Sequence, residues 1–498
     1  MPALPSHRLK IPRIKALVAL AILAMALVML SGDSKDVGLE AERLDGSKAS
    51  GVALLERCKA TCKKPLLDPK VETGSRSDRL NQRLVSMVVK LALLREDLSH
   101  ILEHFESGKT GMSRIQEEAL AKARQTPETV GATVMRAPEA AVAAYALAGE
   151  PDDATSRIVI PIGDNQQVTL VRTSMERTDK GVIWRGTVED SGERAVLLWW
   201  RDGRLTGEFS REGHVYTVMN IGGDLRAMLE SEPSVLPPDH PDNFSEPYPS
   251  DGRDALPNVV PISADELKTL ESKKIVIDVM MLYTKRAASH YMRDPTDVLQ
   301  LAIERVNETF RNSALGNISL RLVHTQAVDY DEQGSEEFTD LYRMVDGDEP
   351  FKDVRRLRAE KHAAIVGMVV DDPRGCGLST RVAPDAEEAY FVVHYSCAAI
   401  ALSIAHEIGH ILGARHDRQS DPDNTPFPYG HGYINGTKWR DIMSYPEGCN
   451  GCPRLPFWSN PRVLYKGEPT GTLTEDNARV ILEQAERVSN FAKRGPDG

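Results

Sequence analysis

The chain has 498 residues, 41% of them hydrophobic and 27% charged, with a formal net charge of −12. That length predicts more than one domain, and the composition is that of ordinary globular material rather than a low-complexity tract. The acidic excess argues against a nucleic-acid partner, whose phosphates it would repel.

The N-terminus carries an export signal. His7, Arg8, Lys10, Arg13 and Lys15 form a basic segment without acidic residues, and residues 16–30 follow as an unbroken apolar run. The run suits the core of a signal peptide better than a membrane span of about 20 residues. Two readings stay open. A signal within residues 1–32 is cleaved and the protein is secreted or periplasmic, or residues 16–30 stay as an anchor in the cytoplasmic membrane with the remainder facing outward. The 6 cysteines suit an oxidising compartment, where an even number can pair. Cys58 and Cys62 pair either with each other or between chains.

Residues 33–130 are expected to form a helical region. Over 77–124, Leu80, Leu84, Val88, Leu91, Leu94, Leu98, Ile101, Leu102 and Phe105 recur at three- and four-residue steps. Clean heptads are too few for a coiled coil, so a helical hairpin is predicted. Over 150–231 the period switches to two. Strands are predicted at 167–171, 182–188, 195–200 and 214–218, with Asp202-Gly203 as a hairpin turn. Residues 232–272 hold a cluster of prolines, at 233, 237, 238, 241, 247, 249, 257 and 261, and read as an exposed linker. Proteolytic nicking concentrates in such segments, so a maturation cut is expected between about Asp239 and Lys273.

Residues 273–498 alternate strands and helices. Strands are predicted at 275–283, 318–328, 363–370, 378–382 and 390–395, and helices at 294–314, 398–412 and 474–491. Asp294 and Pro295 supply an N-cap and a first helical residue. Cys376 and Cys397 flank two of these strands, and a bridge between them would stiffen that wall. Cys449 and Cys452 have the spacing of a redox motif or half a zinc site, but with no second such pair a small structural disulfide is the simpler reading.

Residues 406–417 read His-Glu-Ile-Gly-His-Ile-Leu-Gly-Ala-Arg-His-Asp. His406 and His410 stand four apart, so on a helix both imidazoles leave the same face, as two ligands of one Zn²⁺ require. Gly413 can take positive φ where the helix stops, letting the chain turn back to offer His416. Three protein ligands leave the fourth position open, which marks a catalytic rather than a structural zinc. Glu407 is adjacent but not a ligand, and is placed to act as a general base. Asp417 either orients a ligand or anchors the turn. His394 reads as a structural core histidine, and His431, between two glycines, as a loop residue, with contact to substrate or support of a neighbouring turn as the alternatives.

Further on, Asp441-Ile442-Met443-Ser444-Tyr445 puts a methionine a short loop after the third histidine. With H-E-x-x-H-x-x-G-x-x-H before it, the chain resembles the metzincin zinc metalloendopeptidases. Gly375-Cys376-Gly377, Tyr390-Phe391-Val392-Val393-His394, Tyr429-Gly430-His431-Gly432-Tyr433 and Trp458-Ser459-Asn460-Pro461 are similar to the bacterial peptidyl-Asp branch. The resemblance implies an α/β (α+β) catalytic domain with a mixed twisted sheet, and protein or peptide substrates cut on the amino side of Asp. It also implies that Tyr445 stands near the metal and hydrogen-bonds an oxyanion; an ordinary core aromatic is the alternative. The β-rich unit ahead of such a domain then looks like a propeptide. An acidic substrate side chain would want an arginine, and Arg440 and Arg454 are near in sequence. A rival reading is an exported binding or adhesion protein of the same fold without turnover. Glu407 weighs against it, because a binding module needs no general base.

Overall fold

A computed structural model describes residues 102–105, 111–148, 156–163, 166–239, 259–332 and 339–493. The apolar run 16–30, Cys58, Cys62, the predicted helical stripe before residue 102 and residues 240–258 of the linker lie outside them.

The first unit is one antiparallel sheet. Its strands are β1 (Glu103–His104), β2 (Thr129–Arg136), β3 (Arg157–Pro161), β4 (Gln167–Arg177), β5 (Gly181–Val188), β6 (Arg194–Trp200), β7 (Leu205–Arg211), β8 (His214–Gly222) and β9 (Leu225–Ser231), in the order β1-β2-β9-β8-β7-β6-β5-β4-β3. From β3 to β9 each strand pairs with the next, so the turns alone dictate the meander. At Asp202-Gly203 the glycine takes φ +89°, as a tight hairpin requires. On one face, helix α2 (Glu139–Ala148) packs Val142, Tyr145 and Ala146 against Trp184, Leu197, Trp199 and Phe209. On the other, Ile183, Val196, Leu198 and Trp200 meet Leu301 of the following domain. Adjacent Trp199 and Trp200 therefore serve opposite faces, as strand alternation dictates.

The unit starts earlier than the predicted boundary at 150. Residues 129–136 include the β-branched Thr129, Val130, Thr133 and Val134, are extended, and pair with β9. Among the described residues, the helix expected through residue 124 is α1 (Arg114–Ala123), begun by a capping box between Ser113 and Gln116. Phe105 sits outside that helix, packed with Leu120, Val134 and Ile221.

The second unit is a five-stranded sheet of β10 (Ile275–Thr284), β11 (Ile318–Val328), β12 (Ile365–Val370), β13 (Gly377–Ser379) and β14 (Tyr390–His394), in the order β11-β10-β12-β14-β13. It is parallel except for the edge strand β13. Within the predicted linker, Ser263 caps α3 (Ala264–Glu271), whose Leu267 and Leu270 lie on the core, so the folded domain reaches back past 272. Helix α4 (Pro295–Asn312) begins at the predicted Asp294 cap and is buried on both sides. Leu299, Ile303, Val306 and Phe310 enter the catalytic core, while Leu301 faces the first unit. Arginine–carboxylate pairs line that seam. Arg305 holds Glu208 at 2.8 Å, Arg185 holds Glu308 at 2.5 Å, and Arg204 holds Asp297. Helix α7 (Asn477–Ser489), capped by Asp476, closes the domain.

The predicted helix 398–412 is two helices, α5 (Tyr395–Ile400) and α6 (Ser403–Ile411). At the break Arg305 donates to the Ile400 and Ala401 carbonyls at 2.9 and 3.2 Å, satisfying acceptors that the interrupted helix leaves exposed. Disulfides join Cys376 to Cys397, tying β13 to α5, and Cys449 to Cys452. Among the described residues no helix is long and apolar enough to cross a membrane.

Candidate metal centre and cleft

His406 and His410 project from one face of α6. Gly409 between them is pressed against the floor: a Cβ there would stand 2.8 Å from Met443 Sδ and 2.7 Å from the Trp458 ring. The methionine that sequence placed after the third histidine thus lies under the histidine-bearing helix. Gly413 has φ +96° and ends the helix, and the chain turns back to His416.

The three Nε2 atoms converge, with His406 3.1 Å from His416 and 3.2 Å from His410. His406 Nδ1 donates to the Ile442 carbonyl and His410 Nδ1 to the Ala414 carbonyl, each at 3.0 Å. Those bonds put the protons on Nδ1, so the Nε2 lone pairs of both rings face the common point. Nitrogens about 2.0–2.1 Å from a tetrahedral Zn²⁺ stand about 3.3 Å apart, close to this spacing. The donor set therefore fits the metal. Among the described residues this is the one group of three or more His, Cys, Asp or Glu side chains gathered closely enough to hold an ion.

Glu407 is fully buried beside β13, where Ser379 hydrogen-bonds one side of the carboxylate and Oε2 has no partner. Burial pushes its pKa well above the usual carboxylate range. Gly377 makes the space for it, because a Cβ there would meet Glu407 Oε1 at 2.5 Å. Tyr445 Oη lies 3.0 Å from His416 Nε2, and burial raises this phenol as well.

Two buried carboxylates hold the loops. Asp417 accepts from the amides of Gln419, Ser420 and Tyr445, so its role is to anchor the turn and the tyrosine. Asp441, pushed up to about 6 by burial, accepts from Met443 N, Ser444 Oγ and Ser459 N. His431 Nδ1 donates to the His416 carbonyl at 3.0 Å, and His394 pairs with Ser396 Oγ at 2.7 Å; both are structural. All five predicted site residues, His406, Glu407, His410, His416 and Tyr445, meet at one cleft. Sequence reasoning missed Asp239, whose side chain pairs with Arg454. Nothing local marks it, since its partner lies 215 residues away.

A model of metallo-peptidase family M12 matches residues 273–454. A peptidyl-Asp metalloendopeptidase of Stenotrophomonas maltophilia (strain R551-3) is 30% identical over 399 residues, 75% of this chain and 90% of the relative. One from Xanthomonas campestris pv. campestris is 29% identical over 395 residues, 75% of this chain and 89% of the relative. A third, from S. maltophilia strain K279a, is 30% identical over 399 residues, again 75% and 90%.

Proposed function

The chain belongs to the peptidyl-Asp metalloendopeptidase family, and from that premise we propose that it is an exported proenzyme that hydrolyses peptide bonds on the amino side of Asp. His406, His410 and His416 hold Zn²⁺ in this reading, and Glu407 carries the proton. The observation that carries it is the convergence of three Nε2 atoms beside a buried carboxylate with an unpartnered oxygen.

Bound there, Zn²⁺ supplies Lewis acidity towards a carbonyl oxygen and water. The residues do the rest. A substrate strand lies along the β13 edge, where backbone hydrogen bonds position it. Glu407 Oε2 takes a proton from the attacking water as the C–O bond forms. It returns that proton to the amide nitrogen as the C–N bond breaks. Tyr445 Oη donates to the carbonyl oxygen as negative charge develops there. Two disulfides in the catalytic unit suit an oxidising compartment, consistent with export.

Cleavage-site profiling of a denatured proteome with the processed protein tests this, with and without a chelator and zinc re-addition. New N-termini beginning with Asp, lost with chelator and restored by zinc, are expected. Cleavage without that preference would remove the Asp assignment. No cleavage at all would favour a binding protein of the same fold.

A further inference from the structure

We propose that Arg454, with Arg440 behind it, forms an acid-selecting subsite, and that Asp239 of the chain's own linker fills it in the uncut protein, docked as a substrate mimic. The inference deepens the endopeptidase reading and rests on it for the word substrate, but the pocket itself is argued from geometry.

Arg440 and Arg454 lie on neighbouring backbone segments, bridged by Arg440 N to the Pro453 carbonyl at 3.0 Å and Leu455 N to the Arg440 carbonyl at 2.8 Å. Their side chains are only 12% and 11% exposed. Two guanidiniums so placed repel each other in a poorly solvated site, and an anion between them relieves both. Asp239 is that anion. Its Oδ2 pairs with Arg454 Nη2 and lies 3.7 Å from Arg440 Nη1. Arg440 is fixed by donating to the Ser444 carbonyl at 2.5 Å and the Cys452 carbonyl at 3.3 Å, which hooks the pocket to the loop carrying Met443 and Tyr445. Arg454 Nε has no hydrogen-bond partner, so this guanidinium keeps a donor to spare.

The backbone of the linker completes the mimicry. Cys376 N donates to the Pro238 carbonyl at 2.7 Å and Gly377 N to the Asp239 carbonyl at 3.3 Å. These amides stand at the start of edge strand β13, the surface an extended peptide would use. An acidic side chain in the arginine pair and a backbone hydrogen-bonded at the start of β13 are what a bound acidic peptide would present. While Asp239 is there, such a peptide is excluded.

Binding tests this without turnover. In the full chain carrying Glu407→Gln, a fluorescent Asp-containing peptide is titrated by anisotropy, alongside its Asn counterpart. Adding Asp239→Ala is expected to tighten the Asp peptide at least tenfold and to leave the Asn peptide within about twofold. Adding Arg454→Ala should abolish that gain, while Arg454→Lys should keep part of it; melting curves confirm that each variant is folded. Equal affinity for the two peptides in the Asp239→Ala protein, or no gain on removing Asp239, would overturn the proposal. Failure of the protease reading looks different: wild-type protein cut in its linker would hydrolyse neither peptide, whatever the binding.

Discussion

Glu208 sets a pH dependence on the seam between the two units. It lies on β7 facing α4, 7% exposed, with one oxygen 2.8 Å from Arg305 Nε and the other without a partner. Burial outweighs the attraction of Arg305 and pushes the carboxyl from 4.5 up to about 7. A carboxyl raised on docking holds its proton more tightly in the docked state. Its stabilising effect is therefore full below the free value and is lost as pH rises through about 7. At about 1.4 kcal/mol per unit the span is at most roughly 3 kcal/mol, a few hundredfold in a dissociation constant if docking supplies the whole of the burial. Glu304 and Asp297 on the same seam are raised by burial too, and add to the slope. The assay is dissociation of the first unit from the catalytic unit after the linker is cut, followed by gel filtration on dilution from pH 5 to 8. Weaker association at higher pH is expected, with a shallower slope for Glu208→Gln. A flat profile in the wild type, or an unchanged slope in the variant, would refute the reasoning.

Three further outcomes can be checked. Gly409→Ala drives a Cβ into Met443 Sδ and the Trp458 ring; overpacking of this kind costs about 1–3 kcal/mol, which thermal unfolding would read as a lower Tm, and a Tm equal to wild type would show that the floor is soft. Tyr445→Phe keeps the ring but removes the hydroxyl near His416 Nε2; kcat should fall about 10²–10³-fold with little change in KM, whereas a pure KM effect would place the hydroxyl in ground-state binding. N-terminal sequencing of the active form should give a start between residues 239 and 273, and full activity in an uncut chain would contradict the proenzyme reading.

The cleft was the legible part of this chain because metal chemistry imposes spacing. His406, His410, Gly413 and His416 are fixed by helix period and ring reach, and the structure brings them together as that spacing requires. Strand β11 was legible from end to end, as an apolar-rich run whose burial alternates over residues 318–323. Strand β9 was not. Its Leu-Arg-Ala-Met-Leu-Glu is built from strong helix formers, and only pairing with β8 and β2 makes it extended. Strand β7 was obscured by Gly207, which is there because a Cβ would meet Leu197 Cδ2 at 2.3 Å. Helix α3, capped by Ser263, was not legible because the prolines before it made the whole stretch read as linker. Asp239 was beyond reach for a different reason. Its meaning depends on two arginines from the far end of the chain, a relation of tertiary structure alone.

In the proposed reaction the three histidines bind the metal and Glu407 moves the proton. Native mass spectrometry and turnover on the same samples of wild type and Glu407→Gln, each cut in the linker, test it together. One zinc per chain is expected in both, with a loss of at least about 10³-fold in kcat for the variant, since the metal site survives without its base. A variant that keeps near-wild-type turnover, or a wild type that hydrolyses peptides with no zinc bound, would contradict it.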